Sequence, residues 1–198
     1  MGRRFHTYLH GLPSGLEAHP GAMMKASLVR GALASRSLPE AAIDKAPPAL
    51  AATLRDPPPP SAWLPVTHVV GTLLLIADHY DLDDDAFIAW RSEQYRALLG
   101  GPLYRVLFAV LSPERLVAGA AHKWKSLTKD SLVLEQVKVE RGAGEIIVSW
   151  PENILPAIIA RSLMEGVRAA LELSGAKAPT ITIRDLTKTG ARYVLRWG

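Results

Sequence analysis

The stretch "LVLEQVKVERGAGEIIVSW", Leu132 to Trp150, alternates apolar and polar side chains on both sides of a glycine-containing turn. A period of two over seven or eight residues, rich in valine and isoleucine, is the signature of half-buried strands. Val133, Glu135, Val137 and Val139 fall on one face, with Leu134, Gln136, Lys138 and Glu140 on the other. "RGAG" supplies the turn, so the segment is expected to form a hairpin. Glu152 to Ser174 then follows a helical period, with Leu155, Ile158, Ile159, Leu163, Val167 and Ala170 facing inward and Gly175 as its stop. "PTITIRD" and "ARYVLRW", joined through "LTKTG", give two more strands. The predicted order is strand, strand, helix, strand, strand: a four-stranded antiparallel sheet with a crossover helix.

Upstream the period changes to that of helices, so the fold class is α+β, an N-terminal helical layer followed by the sheet. Residues 1–20 lack a sustained period and are expected to form an arm. Residues 21–198 are expected to form a single α+β domain, with 21–125 its helical part and 126–198 its sheet part. "GAMMKASLVRGALAS" (21–35) predicts a helix, and "LPEAAIDKAPPALAATLRD" predicts two short ones broken at Pro47 and Pro48. "DPPPP", Asp56 to Pro60, can neither continue a helix nor donate to a sheet, and is expected to be a stiff connector. Val66 to Tyr80 is apolar nearly all round, as a central buried helix should be. "LYRVLFAVLS" predicts another apolar helix, and "SPERLVAGAAHKW" carries a serine cap, a proline in its first turn and an early glutamate.

"HVVGTLLLIADHYDLDDDAF", His68 to Phe87, holds two histidines and five aspartates, four of them clustered between Asp81 and Asp85, and raises the question of a metal. A calcium loop wants carboxylates at positions 1, 3 and 5, glycine at 6 and glutamate at 12. Counting from Asp81, position 6 is Ala86 and position 12 is Ser92. The stretch therefore reads as the end of a helix, a corner, and an Asp83 cap with Asp84 and Asp85 in the positive first turn. No metal site is predicted.

Composition narrows the chemistry further. The 198 residues contain no cysteine, which removes disulfides, thiolate metal sites and cysteine nucleophiles. The longest apolar run, Val69 to Ala77, falls short of the roughly 20 residues that cross a bilayer, so no membrane span is expected and a cytoplasmic location is read. The net charge of +4 divides as +3, −3 and +4 over residues 1–60, 61–118 and 119–198. The basic residues of the last third alternate with acids, as in "KVERGAGE", which predicts a solvated sheet face and no nucleic-acid partner. G-x-S-x-G, HExxH and phosphate-loop patterns are absent, and "RGAGE" precedes a strand where a phosphate loop would precede a helix. The expectation is a protein that is not an enzyme.

The order "SAWLP", an apolar helix, "GGPLYRVLFAVLSPERLV", "HKW", a hairpin, a long helix and "RYVLRW" resembles an uncharacterised paralogous family of small myxobacterial proteins. That family is similar in layout to the superfamily joining haem nitric-oxide/oxygen binding domains, 4-vinyl-reductase domains and trafficking-particle subunits. The resemblance spans about residues 20–198. It implies a pocket between helices and sheet that takes haem, lipid chains or other apolar molecules, or a surface used to dimerise. The haem-binding branch also needs a proximal histidine and a Tyr-any-Ser-any-Arg motif, and that motif occurs nowhere in this chain. No cofactor is assigned.

Two functional expectations follow. One is a ligand-sensing domain whose apolar small molecule sits between the His68–Tyr80 helix, the Tyr104–Leu111 helix and the sheet. Its candidate lining is His68, Trp90, Tyr104, Phe108 and Trp124, side chains that equally suit core packing. The other is a self-associating scaffold, a homodimer, in which Ser162, Gly166 and Ala170 form a smooth stripe along the long helix. That stripe is expected to pack first on the chain's own sheet.

Overall fold

The computed structural model describes residues 2–101 and 111–198. The predicted "LYRVLFAVLS" helix falls almost entirely outside them. The architecture is mixed α+β, with helices leading into an antiparallel sheet. The chain opens with α1 (Arg3–Gly11), a short 3-10 turn (Gly15–Glu17), β1 (Met23–Lys25), α2 (Ser27–Ser35), α3 (Glu40–Ile43), α4 (Pro48–Arg55) and β2 (Trp63–Pro65). The central α5 (Val66–His79) and α6 (Asp84–Leu99) follow, then α7 (Pro113–Ala118), α8 (Ala120–Trp124) and β3 (Thr128–Lys129). The last part holds β4 (Val133–Glu140), β5 (Ala143–Ser149), α9 (Ala157–Leu173), β6 (Thr180–Arg184) and β7 (Gly190–Arg196).

The run Val66 to Ala77 is buried on every face of α5, and α1, α2 and α4 pack around it. Close approach is possible because Gly71 has no side chain. A Cβ there would lie 3.0 Å from the Phe5 ring and 3.1 Å from a Leu50 methyl. The first turn of α1 lacks a capping side chain of its own, and Gly2 is its N-cap. Asp78, at the far end of α5, fills the role: its carboxylate accepts from Arg4 N at 3.1 Å and from Phe5 N at 2.9 Å. Arg4 in turn donates to Asp84 and to the Leu82 carbonyl, and Tyr8 Oη donates to the Ile154 carbonyl. Residues 3–11 are thereby helical and docked rather than an irregular arm.

The corner after α5 behaves as its aspartates suggest. Asp81 takes a positive φ of 49°, and Asp83 Oδ1 accepts from Ala86 N at 2.8 Å to start α6. The proline run stays out of regular structure, and its carbonyls close the N-terminal end of α2. Pro60 O accepts from Ser27 N, and Pro57 O accepts from Arg30. Met23–Lys25 departs from the expected helix: it is a strand, paired antiparallel with both β2 and β3. Its partners lie some 40 and 105 residues away in sequence, so no local period could reveal the pairing.

The larger sheet has the strand order β4-β5-β7-β6, with every neighbouring pair antiparallel. Gly142, at φ +74°, forms the tight turn between β4 and β5. A register shift between Gln136 and Lys138 interrupts the simple alternation of β4. Ile146, Val148, Ile181, Ala191, Tyr193 and Leu195 make the buried face, and Tyr193 Oη donates to the Ala160 carbonyl of α9. That helix begins five residues later than the periodicity predicts. Pro156 is its N-cap and disfavours a helical Leu155, while Asn153 sits at φ 62°.

The small-residue stripe of α9 also departs from expectation. A Cβ on Gly166 would lie 3.1 Å from the Tyr95 ring of α6, so this part of the stripe admits a neighbouring helix rather than the sheet. Ion pairs Arg96–Glu172 and Arg161–Asp84 flank the same helix pair.

Replacing Asp78 by alanine removes two acceptors from the α1 terminus. The expected loss is about 1–2 kcal/mol in urea denaturation, with amide exchange quickened along residues 3–11. Unchanged exchange there would mean that burial of Phe5 and Tyr8 alone holds α1.

Candidate functional site

A partly open pocket of about 250 Å³ lies between the two long helices and the sheet. Leu98 and Leu99 of α6, Leu163, Val167 and Leu171 of α9, and Leu134, Ile146 and Leu195 of the sheet contribute walls. Leu116, Val117, Lys123 and Trp124 enter from α7 and α8, and Met24 and Leu28 from the β1–α2 segment. The pocket lies beside the α6–α9 contact, and Tyr95 and Gly166 are both among its lining residues. Two of its hydroxyls are engaged: Ser126 Oγ donates to the Lys123 carbonyl, and Thr128 Oγ1 lies within bonding distance of the Trp124 and Leu132 carbonyls. The indole N–H of Trp124 is shielded from solvent and has no acceptor among the described residues. A buried donor in that state costs about 1–3 kcal/mol and marks where a ligand oxygen or water would be held.

A second cleft, of about 270 Å³, opens between α2 and α6 and shares Ser27, Leu28, Tyr95 and Leu98 with the first. Trp90 lines this cleft. Its ring meets Phe87 edge-on at 5.7 Å, and its Nε1 donates to Ser35 Oγ at 3.0 Å.

Of the five residues expected from sequence, Trp124 therefore lines the pocket and Trp90 the neighbouring cleft, while Tyr104 and Phe108 lie outside the described residues. His68 lines neither space. It is buried on α5, and its Nδ1 lies 3.0 Å from Thr53 Oγ1. Thr53 gives its one proton to the Ala49 carbonyl at 3.1 Å, so Nδ1–H is the donor of the pair. Burial lowers the His68 pKa below its ordinary value, with the negative charge of Glu17 opposing the shift. The α5 helix expected to wall the pocket instead forms the centre of the helical layer, and α6 and α9 take its place. Tyr95, Leu163 and Val167 had a signal in the apolar stripes of their helices. Arg91 also had one: it follows Phe87 at i+4, a charged residue inside an apolar stripe.

No family model matches this sequence, and no curated protein matches it. Among solved structures it is similar to the Fe(II) unliganded H-NOX protein from K. algicida, with a TM-score of 0.62 at 9% identity over 88% of this chain and 97% of the other. The A71G mutant of that protein gives 0.55 at 10% identity over 88% and 97%. A structure from work on haem redox potential and protein-induced porphyrin distortion gives 0.61 at 8% identity over 87% and 99%. The chain has the H-NOX-like fold.

The described residues do not fit a haem. All six histidines are described, none lines the cavity, and the chain has no cysteine. No three His, Asp or Glu side chains converge among the described residues. Lys123 is the one charged side chain found among the described lining of the cavity, and no arginine stands there to meet two propionates.

The lowered pKa of His68 has a measurable consequence. Its folded pKa is depressed, so as pH falls below about 6.5 the unfolded chain takes up a proton before the folded one does. The stability that depends on neutral His68 is present above that pH and is lost below it. Urea denaturation should show the wild type losing stability faster than His68→Gln over this window, and parallel curves would refute the assignment.

Proposed function

We propose that this chain is a non-enzymatic small-molecule-binding domain that uses the H-NOX-like layout without haem and takes an apolar ligand between α6, α9, α8 and the sheet. The observation that carries this reading is the partly open pocket itself, walled mostly by aliphatic side chains and lined also by Trp124, whose buried Nε1–H has no acceptor among the described residues. Specific small-molecule sites combine an apolar body with a few fixed polar groups, and this one has that character. A void of 150 Å³ accepts benzene, so 250 Å³ suits a ligand of about ten non-hydrogen atoms. Such a molecule would fill a space that otherwise forfeits dispersion contacts, and its oxygen would satisfy the indole. Residues 21–198 act as one domain in this reading, because the cavity draws its walls from both the helical and the sheet parts.

The test is thermal unfolding of the full chain with octanol, which has the right size and one oxygen. A ligand that binds only the folded state raises Tm with concentration. Octanol should do so, and Val167→Phe, whose ring occupies the cavity, should remove the effect while keeping the fold. Haemin added in the same way should give no spectrum of an iron ligated by histidine. Failure of octanol and of other apolar probes of that size to stabilise the wild type would refute the reading.

A further inference from the structure

Arg91 is only 3% exposed, yet among the described residues no carboxylate pairs with it and its buried Nε has no acceptor. A guanidinium removed from water without a counter-charge is among the least favourable arrangements in a folded chain. The surrounding bonds show which part of it is free. Ser35 Oγ donates to the Ala32 carbonyl and accepts from Trp90 Nε1 and Gln94 Nε2. This fixes the Gln94 amide so that its Oε1 faces Arg91 and accepts from Nη1. The Tyr95 ring lies 4.6 Å from Arg91 Cζ and the Trp90 ring 6.0 Å, which steadies the cation without supplying an acceptor. What remains is the Nε–Nη2 edge, two parallel donors in the geometry that a carboxylate accepts.

Arg91, Trp90, Tyr95 and Gln94 all line the cleft between α2 and α6. We infer that this cleft is a carboxylate-binding site, with the Nε–Nη2 edge of Arg91 holding the anion and Trp90, Tyr95 and Leu28 enclosing an apolar or aromatic body. Glu93 also lines the cleft; it is exposed and makes no ion pair with Arg91. Its charge opposes an anion and sets an upper limit on affinity. The site adjoins the apolar pocket, with which it shares Ser27, Leu28, Tyr95 and Leu98, but Arg91, Trp90 and Gln94 line the cleft alone.

The experiment is an NMR titration of the full chain with benzoate, benzamide and inorganic phosphate at constant ionic strength, following the Trp90 indole N–H. Benzoate should shift that resonance saturably and benzamide should not. Arg91→Met should weaken benzoate at least about tenfold, the loss of a charge-assisted pair. Arg91→Lys, which keeps the charge and loses the fork, should weaken it less, and Glu93→Gln should tighten it. Val167→Phe should leave benzoate binding intact. Benzamide titrating as well as benzoate, phosphate binding in place of benzoate, or an unaltered benzoate affinity in folded Arg91→Met would each overturn the proposal. Loss of benzoate binding in Val167→Phe would also overturn it, by placing the probe in the apolar cavity and leaving the octanol reading untouched. Should Arg91→Met fail to fold, Arg91→Lys and Glu93→Gln decide: no change in either refutes the site.

Discussion

The contact between Gly166 of α9 and the ring of Tyr95 of α6 sets the spacing of the whole molecule. A Cβ at that position would lie 3.1 Å from the ring, so any residue larger than glycine would require the Tyr95 side chain to give way by a few tenths of an ångström. One face of α9 is thus given to α6, while the Ala160 carbonyl on the same helix accepts from Tyr193 Oη of the sheet. A single helix therefore couples the helical layer to the sheet. The layers meet at a point of minimum bulk, and beside that point the leucines and valines of α6, α9, β5 and β7 do not close the remaining gap. The partly open pocket lies beside this contact, with Tyr95 and Gly166 both among its lining residues.

Tyr95 has a further part in the same arrangement. It walls both the apolar cavity and the cleft that contains Arg91, and its ring faces the Arg91 guanidinium. Its phenol also lies near enough to Tyr193 to add to the upward pKa shift that burial imposes on that group. Two adjoining spaces, one mostly aliphatic and one containing Arg91, meet along Ser27, Leu28, Tyr95 and Leu98. A change at Gly166 that moves Tyr95 would reach both, whereas a change at Val167 is confined to the aliphatic side.

The sequence carries some of this plainly. Period-two alternation around "RGAG" marks β4 and β5, and the all-round apolar character of Val66–Ala77 marks the buried centre of the helical layer. Asp83 and Ser112 both cap the helices they precede, accepting from Ala86 N and Arg115 N. What could not be read depends on partners distant in sequence. Met23–Lys25 is a strand only because Trp63–Pro65 and Thr128–Lys129 lie beside it. Asp78 caps a helix more than seventy residues earlier, a role that no local spacing encodes. The site was legible only in part. Trp124 and Trp90 line spaces because aromatic residues on apolar stripes tend to do so, but His68 satisfies itself on Thr53, and nothing in its neighbourhood in sequence announces that bond.

Arg91 shows why a likeness of fold stops short of chemistry. The H-NOX-like layout brings helices and sheet together around a cavity, and the residues at that cavity decide what it holds. Here the histidines sit elsewhere: His68 in the helical core, His79 at the end of α5, His122 exposed on α8, and the other three near the N-terminus. The strongest electrostatic anomaly is instead a guanidinium with one bonded edge and one free edge, in the cleft that adjoins the aliphatic pocket. A core of this size would be more stable with methionine at position 91, since burying an unpaired charge costs several kcal/mol that packing around its stem does not return. A bound anion reverses that balance, because the same burial that penalises the bare cation strengthens its bond to a carboxylate.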